Sequence, residues 1–225
     1  MTPVVLKLGG SLAESGRLRV LLALVARARR PVVVVPGGGA FADAVRETQA
    51  ALGFSDETAH DMALLAMHQM ADAMIALEPR LLGAETLEGF ARAWRRNRIP
   101  VWLPASLCAG DRRIPRDWSI TSDGLAARLA ERLGDAELVL VKSRRVRRTA
   151  PASTLARQGI VDPVFPVIVE RAGLAWRVLG RGDDATLSQL LDVVARRGYR
   201  TSTRRSTVTR LTAPAAHATR VTKVR

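Results

Sequence analysis

Short, uniformly apolar runs alternate along the chain with longer segments in which apolar residues recur at helical spacing. Runs of this kind are typical of strands that are buried on both faces of a parallel sheet. The first run lies in residues 2–12 and predicts a strand that ends at Gly9-Gly10. Further strands are predicted at residues 32–35, 99–103, 138–141 and 175–179, and helices at residues 18–28, 40–52, 56–77, 85–96, 125–133 and 183–196.

The order of these elements, strand, turn and helix in repetition, predicts the fold class. Short connections between alternating strands and helices favour an α/β fold, with a mostly parallel central sheet and helices on both faces. We predict one such domain at residues 1–197, followed by a basic, flexible tail at residues 198–225. Ligands of such sheets bind beyond the carboxyl ends of the strands, so the residues that follow each strand are the first candidates for a site.

The strongly basic composition changes this picture little. The net charge is +14, but residues 198–225 carry seven basic side chains and no acidic ones, which leaves 14 − 7 = +7 for the rest of the chain. The remaining arginines are scattered over predicted helices without interleaved aromatic residues, as is typical of solvated faces. We therefore expect no nucleic-acid partner.

Other composition features exclude several classes of protein. No apolar run approaches the roughly 18 residues that a membrane span needs, and the N-terminus enters a strand without the basic start of a secretory leader. The single cysteine, Cys108, excludes an intramolecular disulfide and a thiolate-rich metal site. We expect a cytoplasmic protein without a membrane partner and without a metal ion held by its own side chains.

Two glycine turns follow the first two predicted strands. Gly9-Gly10-Ser11 ends the first strand, and Gly37-Gly38-Gly39 ends the second. A backbone without Cβ atoms can approach a phosphate closely and present its N–H groups to it. Both turns are therefore candidate anion sites.

The use of lysine points to the same edge of the sheet. Of the 35 basic residues only Lys7, Lys142 and Lys223 are lysine, and the first two end predicted buried strands. Lysine offers a compact charge on a flexible stem that arginine does not. Each lysine alone could simply extend from its strand end into solvent. Together with the glycine turns, they favour an anion site.

A cluster of polar residues precedes the helix predicted at residues 125–133. Residues 117–124 hold more hydroxyls and carboxylates than one helix cap needs, and the surplus includes Thr121, Ser122 and Asp123. His60, on the helix predicted at residues 56–77, is a candidate ligand contact, although a lone histidine on a helix is more often structural.

Phosphoryl transfer is the chemistry that these groups favour. One glycine turn would hold the phosphates of a donor and the other an acceptor, while the lysines neutralise charge on the group in transfer. Asp123 would orient both lysines or help to position Mg²⁺. The Gly-x4-Gly-Lys-Ser/Thr and Gly-x-Gly-x-x-Gly nucleotide motifs are both absent from the sequence.

Four motifs in this order resemble the amino acid kinase family: residues 5–11, 34–39, 121–123 and 140–143. The resemblance implies a three-layer α/β/α sandwich, commonly a homo-oligomer, that uses ATP and Mg²⁺ on a phosphorylated small molecule. It implies catalytic roles for Lys7, Asp123 and Lys142, with Gly9, Gly10, Ser11 and Ser143 on the ATP side. On the acceptor side it implies Gly37, Gly38, Gly39, Thr121 and Ser122.

Residues 56–67 and 117–123 resemble one branch of this family more closely. The branch acts in methanofuran biosynthesis, and its acceptor is (5-aminomethyl-furan-3-yl)methyl phosphate. This resemblance implies that His60 contacts the phosphate of the acceptor.

The sequence departs from the family at one point. Members usually follow the second lysine with an Asp-Gly pair, whereas Lys142-Ser143 leads here into Arg144-Arg145-Val146-Arg147-Arg148. Two alternatives stay open, and this departure motivates the second of them. The acceptor could be isopentenyl phosphate or an acylated amino acid, or the chain could bind a nucleotide without transferring its phosphate.

Overall fold

The computed structural model describes residues 1–193, and six parallel strands form the sheet at its centre. The strands lie in the order β3-β4-β2-β1-β5-β6, so that β1 has a partner on each edge. Their bounds are β1 Val4–Leu8, β2 Val32–Pro36, β3 Leu81–Ala84, β4 Ile99–Trp102, β5 Glu137–Val141 and β6 Trp176–Leu179.

Ten helices of the described residues connect the strands. Their bounds are α1 Ser11–Glu14, α2 Arg17–Val25, α3 Gly39–Leu52, α4 Asp56–Leu77, α5 Leu87–Arg95, α6 Ala105–Cys108, α7 Ser122–Leu133, α8 Ala152–Arg157, α9 Phe165–Arg171 and α10 Asp184–Leu190.

The sheet separates two apolar clusters, because successive side chains of a strand point to opposite faces. In β1, Val5 belongs to the cluster under α5, α7 and α9, whereas Leu6 and Leu8 belong to the cluster under α2, α10 and the second half of α4. The predicted α/β/α sandwich is thereby confirmed, and its sheet is parallel throughout the described residues.

Most predicted elements are present, and α4 has the predicted bounds. The strand β3 and the helices α1, α8 and α9 were not predicted from the sequence, and α6 was assigned to a loop. Gly83 interrupts the short apolar run of β3, so few sequence features mark this strand. It lies at the edge of the sheet and pairs only with β4.

The closing helix was predicted too long. We expected residues 183–196, but α10 ends at Leu190, and Asp192 has a left-handed backbone with φ of 51°. Residues 194–196 of that prediction, like the tail predicted at residues 198–225, lie outside the described residues. Within residues 1–193, no helix combines the length and the apolar character that crossing a membrane would require.

Candidate active site

Three charged side chains meet beyond the carboxyl ends of β1 and β5. The Lys7 Nζ atom lies 2.9 Å from Asp123 Oδ1, and the Lys142 Nζ atom donates a hydrogen bond of 2.5 Å to Asp123 Oδ2. Both lysines share the sheet face of Val5, where α7 packs and supplies Asp123 from its first turn. The strands and the helix thus bring two positive charges and one negative charge together.

This ion cluster is buried. The side chain of Lys7 is 7% exposed and that of Asp123 is 6% exposed. Burial alone would raise the pKa of Asp123, but the ammonium groups of Lys7 and Lys142 lower it below its usual value. Burial and then the charge of Lys7 lower the pKa of Lys142, against the attraction of Asp123. Because two ammonium groups face one carboxylate, the cluster has an excess positive charge and is suited to a further anion.

The two glycine turns touch each other beside this cluster. A Cβ atom on Gly10 would lie 2.2 Å from the Gly39 Cα atom, and one on Gly37 would lie 2.6 Å from the Gly10 nitrogen. Only glycine fits at these positions. Among residues 1–193 the Gly10 N–H has no hydrogen-bond partner, so it is available to an anion.

The backbone N–H of Gly37 is occupied within the fold. Its N–H donates to the Leu8 carbonyl at 2.9 Å and is therefore already used by the fold. Gly38 and Gly39 begin α3, where the first N–H groups of a helix lack partners within it. The amides of this turn that are open to a ligand are thus the first ones of α3, and Gly37 allows the close approach of Gly10.

A serine pair connects the first turn to the segment after Lys142. The hydroxyls of Ser11 and Ser143 are 3.0 Å apart and share a hydrogen bond. Ser11 therefore lies next to the segment that follows Lys142, and a Cβ atom on Gly9 would lie 3.6 Å from the Val141 carbonyl oxygen. Beyond Ser143 the arginines are held by the fold in part: Arg148 donates to Thr186 at 3.1 Å.

A cavity of about 320 Å³ adjoins the ion cluster, and its lining combines the residues predicted on the acceptor side with two that were predicted on the ATP side. Its lining includes Gly10, Ser11, Gly37, Gly38, Gly39, His60, Thr121 and Ser122. His60 is 6% exposed, and burial lowers its pKa, so the imidazole is neutral near pH 7. Lys7, Gly9, Asp123, Lys142 and Ser143 lie beside this cavity rather than in its lining. The roles of all these residues remain predictions.

Asp162, which was not predicted from the sequence, supports the site from beneath α7. Its Oδ2 atom accepts hydrogen bonds from the Thr121 N–H at 2.8 Å and the Gly124 N–H at 2.6 Å. Its Oδ1 atom accepts from the Thr121 hydroxyl at 2.5 Å. Asp162 thereby caps the helix that carries Asp123, from 39 residues further along the chain, where no local pattern marks it.

Substitutions of Asp162 should separate its hydrogen bonds from its charge. Burial, followed by the charge of Asp123, raises the pKa of Asp162. The stability that comes from this raised pKa is present at acidic pH and is lost as pH rises through it. Asp162→Asn keeps an oxygen for both N–H groups, and we expect it to match or exceed the wild type at neutral pH. Asp162→Ala leaves both groups without an acceptor and should lose about 2 kcal/mol or more of unfolding free energy. Urea denaturation between acidic and neutral pH measures the unfolding free energies of both variants and of the wild type.

Equal losses in the two Asp162 variants would contradict a capping role. If the stability of Asp162→Asn relative to the wild type did not rise with pH, the raised pKa of Asp162 would be wrong.

One wall of the cavity was also not predicted from the sequence. The guanidinium carbon of Arg46 lies 4.2 Å from the centroid of the Trp118 ring, and Trp118 Nε1 donates to Gln49 Oε1 at 2.7 Å. Arg46 also pairs with Asp43 at 2.9 Å. Asp43 and Arg46 follow Gly39 at the spacing of one helix face, which is the signal that could have placed them beside the glycine turn.

Comparisons with known proteins bear on this site. The model of the amino acid kinase family matches residues 2–144, which is more than half of the chain. Over 199 residues the chain is 23% identical to the [5-(aminomethyl)furan-3-yl]methyl phosphate kinase of Methanocaldococcus jannaschii, a match that covers 83% of this chain and 92% of the relative.

Solved structures share the fold at low sequence identity. Uridylate kinase from Archaeoglobus fulgidus superposes with a TM-score of 0.64 at 20% identity, over 85% of this chain and 96% of that one. Carbamate kinase from Giardia lamblia, bound to AMP-PNP, gives a TM-score of 0.51 at 13% identity, over 84% of this chain and 95% of that one.

Proposed function

The chain belongs to the amino acid kinase family and is a kinase, and we propose that it transfers the terminal phosphoryl group of ATP to [5-(aminomethyl)furan-3-yl]methyl phosphate. The product would be the corresponding diphosphate. The observation that carries this proposal is the buried cluster of Lys7, Asp123 and Lys142 at the edge of a cavity lined by two touching glycine turns.

The proposed reaction needs little chemistry from the protein beyond charge and position. An oxygen of the acceptor phosphate forms a bond to the γ-phosphorus of ATP, and the bond from that phosphorus to the bridging oxygen of ADP breaks. Because the acceptor oxygen is already an anion, no general base is required. Lys7 and Lys142 would neutralise charge on the transferring group and on the departing oxygen, which is the main source of catalysis in phosphoryl transfer.

The residues present fit the phosphates of ATP. Two ammonium groups and the N–H group of Gly10, which lacks a partner within residues 1–193, offer donors to the donor phosphates. In residues 1–193 no group of three or more His, Cys, Asp or Glu side chains could hold a metal ion. Mg²⁺ usually keeps several waters and binds through substrate phosphates, so a kinase does not require such a group. Asp123 is the carboxylate of this site that would help to position Mg²⁺.

The cavity supports a compact acceptor. At about 320 Å³ it is near the lower end of small-molecule sites, and Leu64, Met67 and Ile120 give it an apolar floor. The neutral imidazole of His60 can donate one N–H to the phosphate of the acceptor. These features suit a small phosphate monoester with a flat apolar centre.

A second candidate function follows from the departure after Lys142. The Asp-Gly pair of the family is replaced by Ser143 and four arginines within residues 144–148. A homologue that binds a nucleotide without transferring its phosphate would share the glycine turns and the lysines. Absence of turnover with every acceptor, together with ATP binding in calorimetry, would favour this candidate.

A panel of acceptors tests the proposal. Full-length protein with Mg-ATP is given the aminomethylfuran phosphate, isopentenyl phosphate or an acylated amino acid, and both ADP and the phosphorylated product are measured. We expect the diphosphate of the aminomethylfuran compound, with the highest kcat/KM of the panel. A higher kcat/KM for another acceptor would contradict the substrate and leave the kinase assignment intact.

A further inference from the structure

The Arg17 side chain connects three segments at the carboxyl end of β5, and the proposed reaction gives it no role. Arg17 is the first residue of α2. Its Nη1 atom donates a hydrogen bond of 3.3 Å to the Lys142 carbonyl, and its Nη2 atom forms an ion pair with Asp184 in the first turn of α10. The residue that supplies one ammonium group of the ion cluster is thus held from outside that cluster.

Both backbone groups of Lys142 have partners. Its N–H donates to the Leu179 carbonyl at 2.8 Å, and its carbonyl accepts from Arg17. The first bond continues the pairing of β5 with β6, but β5 itself ends at Val141, and the carbonyl of the next residue lies beyond the strand. Arg17 is therefore the side chain that holds this carbonyl in place.

The backbone of Lys142 helps to determine where its ammonium group lies. The Nζ atom donates to Asp123 Oδ2 at 2.5 Å, so Arg17 fixes one end of the residue and Asp123 the other. A lysine side chain is a flexible four-carbon stem, and its ammonium group moves when the backbone shifts. A displacement of about 1 Å at a catalytic group can cost about 10²-fold in rate. The bond from Arg17 therefore bears on catalysis although it is made to the backbone.

Asp184 offsets the charge of Arg17. The cluster already holds two ammonium groups against one carboxylate, and a third, unpaired cation beside Lys142 would raise their free energy. The side chains of Arg17 and Asp184 are 16% and 46% exposed, so their ion pair lies near the surface and contributes little to stability. Its main effect is to orient the guanidinium toward the Lys142 carbonyl.

We propose that Arg17 is a positioning residue for Lys142 in phosphoryl transfer, and that Asp184 orients and neutralises its guanidinium. Arg17 fixes the carbonyl of Lys142 and thereby the approach of the ammonium group to the transferring phosphate. This inference rests on the role that the proposed function gives to Lys142, and it adds two residues that act through that lysine. It predicts a loss of rate without a matching loss of stability or of acceptor binding.

Steady-state rates with Mg-ATP and the aminomethylfuran phosphate test the effect on catalysis. We expect Arg17→Ala to lower kcat about tenfold or more, because the ammonium group is no longer held in place. The KM of the acceptor should stay unchanged, since Arg17 lies outside the cavity lining. Arg17→Lys keeps the charge but cannot hold both partners as the planar guanidinium does, so its kcat should lie between those of the wild type and Arg17→Ala.

A matched control lies on the same helix. Arg19 is an exposed arginine two residues further along α2, and Arg19→Ala should leave kcat unchanged. The double variant Arg17→Ala/Asp184→Ala shows whether the two residues act together. If Asp184 acts through Arg17, the double variant is no slower than Arg17→Ala alone, whereas additive losses would contradict the role given to Asp184.

The position of Lys142 can also be observed without an acceptor. The chain has only three lysines, Lys7, Lys142 and Lys223, so protein that carries an NMR-active nitrogen isotope in lysine alone gives few ammonium signals. Lys142→Arg and Lys223→Arg identify these signals. We expect Arg17→Ala to shift or broaden the Lys142 signal more than the Lys7 signal, and Arg19→Ala to change neither.

The outcomes separate this inference from the proposed function. An unchanged Lys142 signal in folded Arg17→Ala, or an unchanged kcat, would overturn the positioning role while the acceptor stands. Should melting temperatures show that Arg17→Ala does not fold, Arg17→Lys carries both measurements and is judged by the same outcomes. If the wild type phosphorylates only another acceptor of the panel, the proposed acceptor is wrong and the rates are measured with that compound. Turnover of no acceptor by the wild type would overturn both proposals.

Discussion

The Lys7→Ala variant is expected to lose about 10²-fold or more of kcat, as other enzymes do when one preorganised donor to the transition state is removed. Lys7 is buried, lies 2.9 Å from Asp123, and stands next to the glycine turn that would hold the transferring phosphate. Alanine removes the charge and leaves the Asp123 carboxylate with one ammonium partner instead of two. Initial rates at saturating ATP and acceptor measure the effect.

Two comparisons make this result specific. Thermal unfolding of the variant shows how much of the loss in activity reflects folding rather than catalysis. We expect a modest loss of stability, because Asp123 still has Lys142 as a hydrogen-bond partner. Arg27→Ala removes an exposed cation just after α2, which lies outside the ion cluster and the cavity lining, and should leave kcat unchanged. Full activity of Lys7→Ala would refute a catalytic role for Lys7.

The second large effect is expected on stability, in Gly10→Ala. The new Cβ atom would lie 2.2 Å from Gly39 Cα and 2.3 Å from its nitrogen, and backbone atoms cannot rotate away as side chains do. The two glycine turns must separate, at a cost of about 3 kcal/mol or more in unfolding free energy, the upper range for overpacking. Activity should fall with it because both phosphate-side turns move.

Gly9 offers a matched comparison for Gly10. A Cβ atom there meets the Lys7 Nζ atom at 3.5 Å and the Val141 carbonyl oxygen at 3.6 Å, which are ordinary contacts. We expect Gly9→Ala to stay within about 1 kcal/mol of the wild type in urea denaturation. Similar losses in the two variants would show that the turns do not depend on their close contact.

The fold could be predicted because its strongest signals are local. The apolar runs of β1, β2 and β5 and the long amphipathic segment of α4 each indicate their own structure, and parallel pairing follows from the helices between them. The convergence of Lys7, Asp123 and Lys142 was predictable for the same reason. In a parallel sheet, residues that follow neighbouring strands share an edge.

The features that were missed depend on contacts between distant segments of the chain. Asp162 stands in a loop before α9, and only the folded chain brings it beneath Thr121 and Gly124. The wall made by Trp118 and Arg46 joins positions 72 residues apart. In α9, Val167 and Ile168 favour a strand by propensity, and burial of Ile168 under α7 decides for a helix.

The position of β1 between β2 and β5 determines when the site can form. Its first edge pairs with β2 after only a short connection, but its second edge pairs with residues 137–141, more than 130 residues away in sequence. Pairings of such separation fold slowly, because a long loop must close before any contact compensates the lost entropy. During synthesis, the second edge of β1, which carries Lys7 near its end, therefore stays unpaired until β5 has been made. The same event that covers this edge brings Lys142 to Lys7, so the ion cluster forms only after residues 137–142 have been added to the sheet.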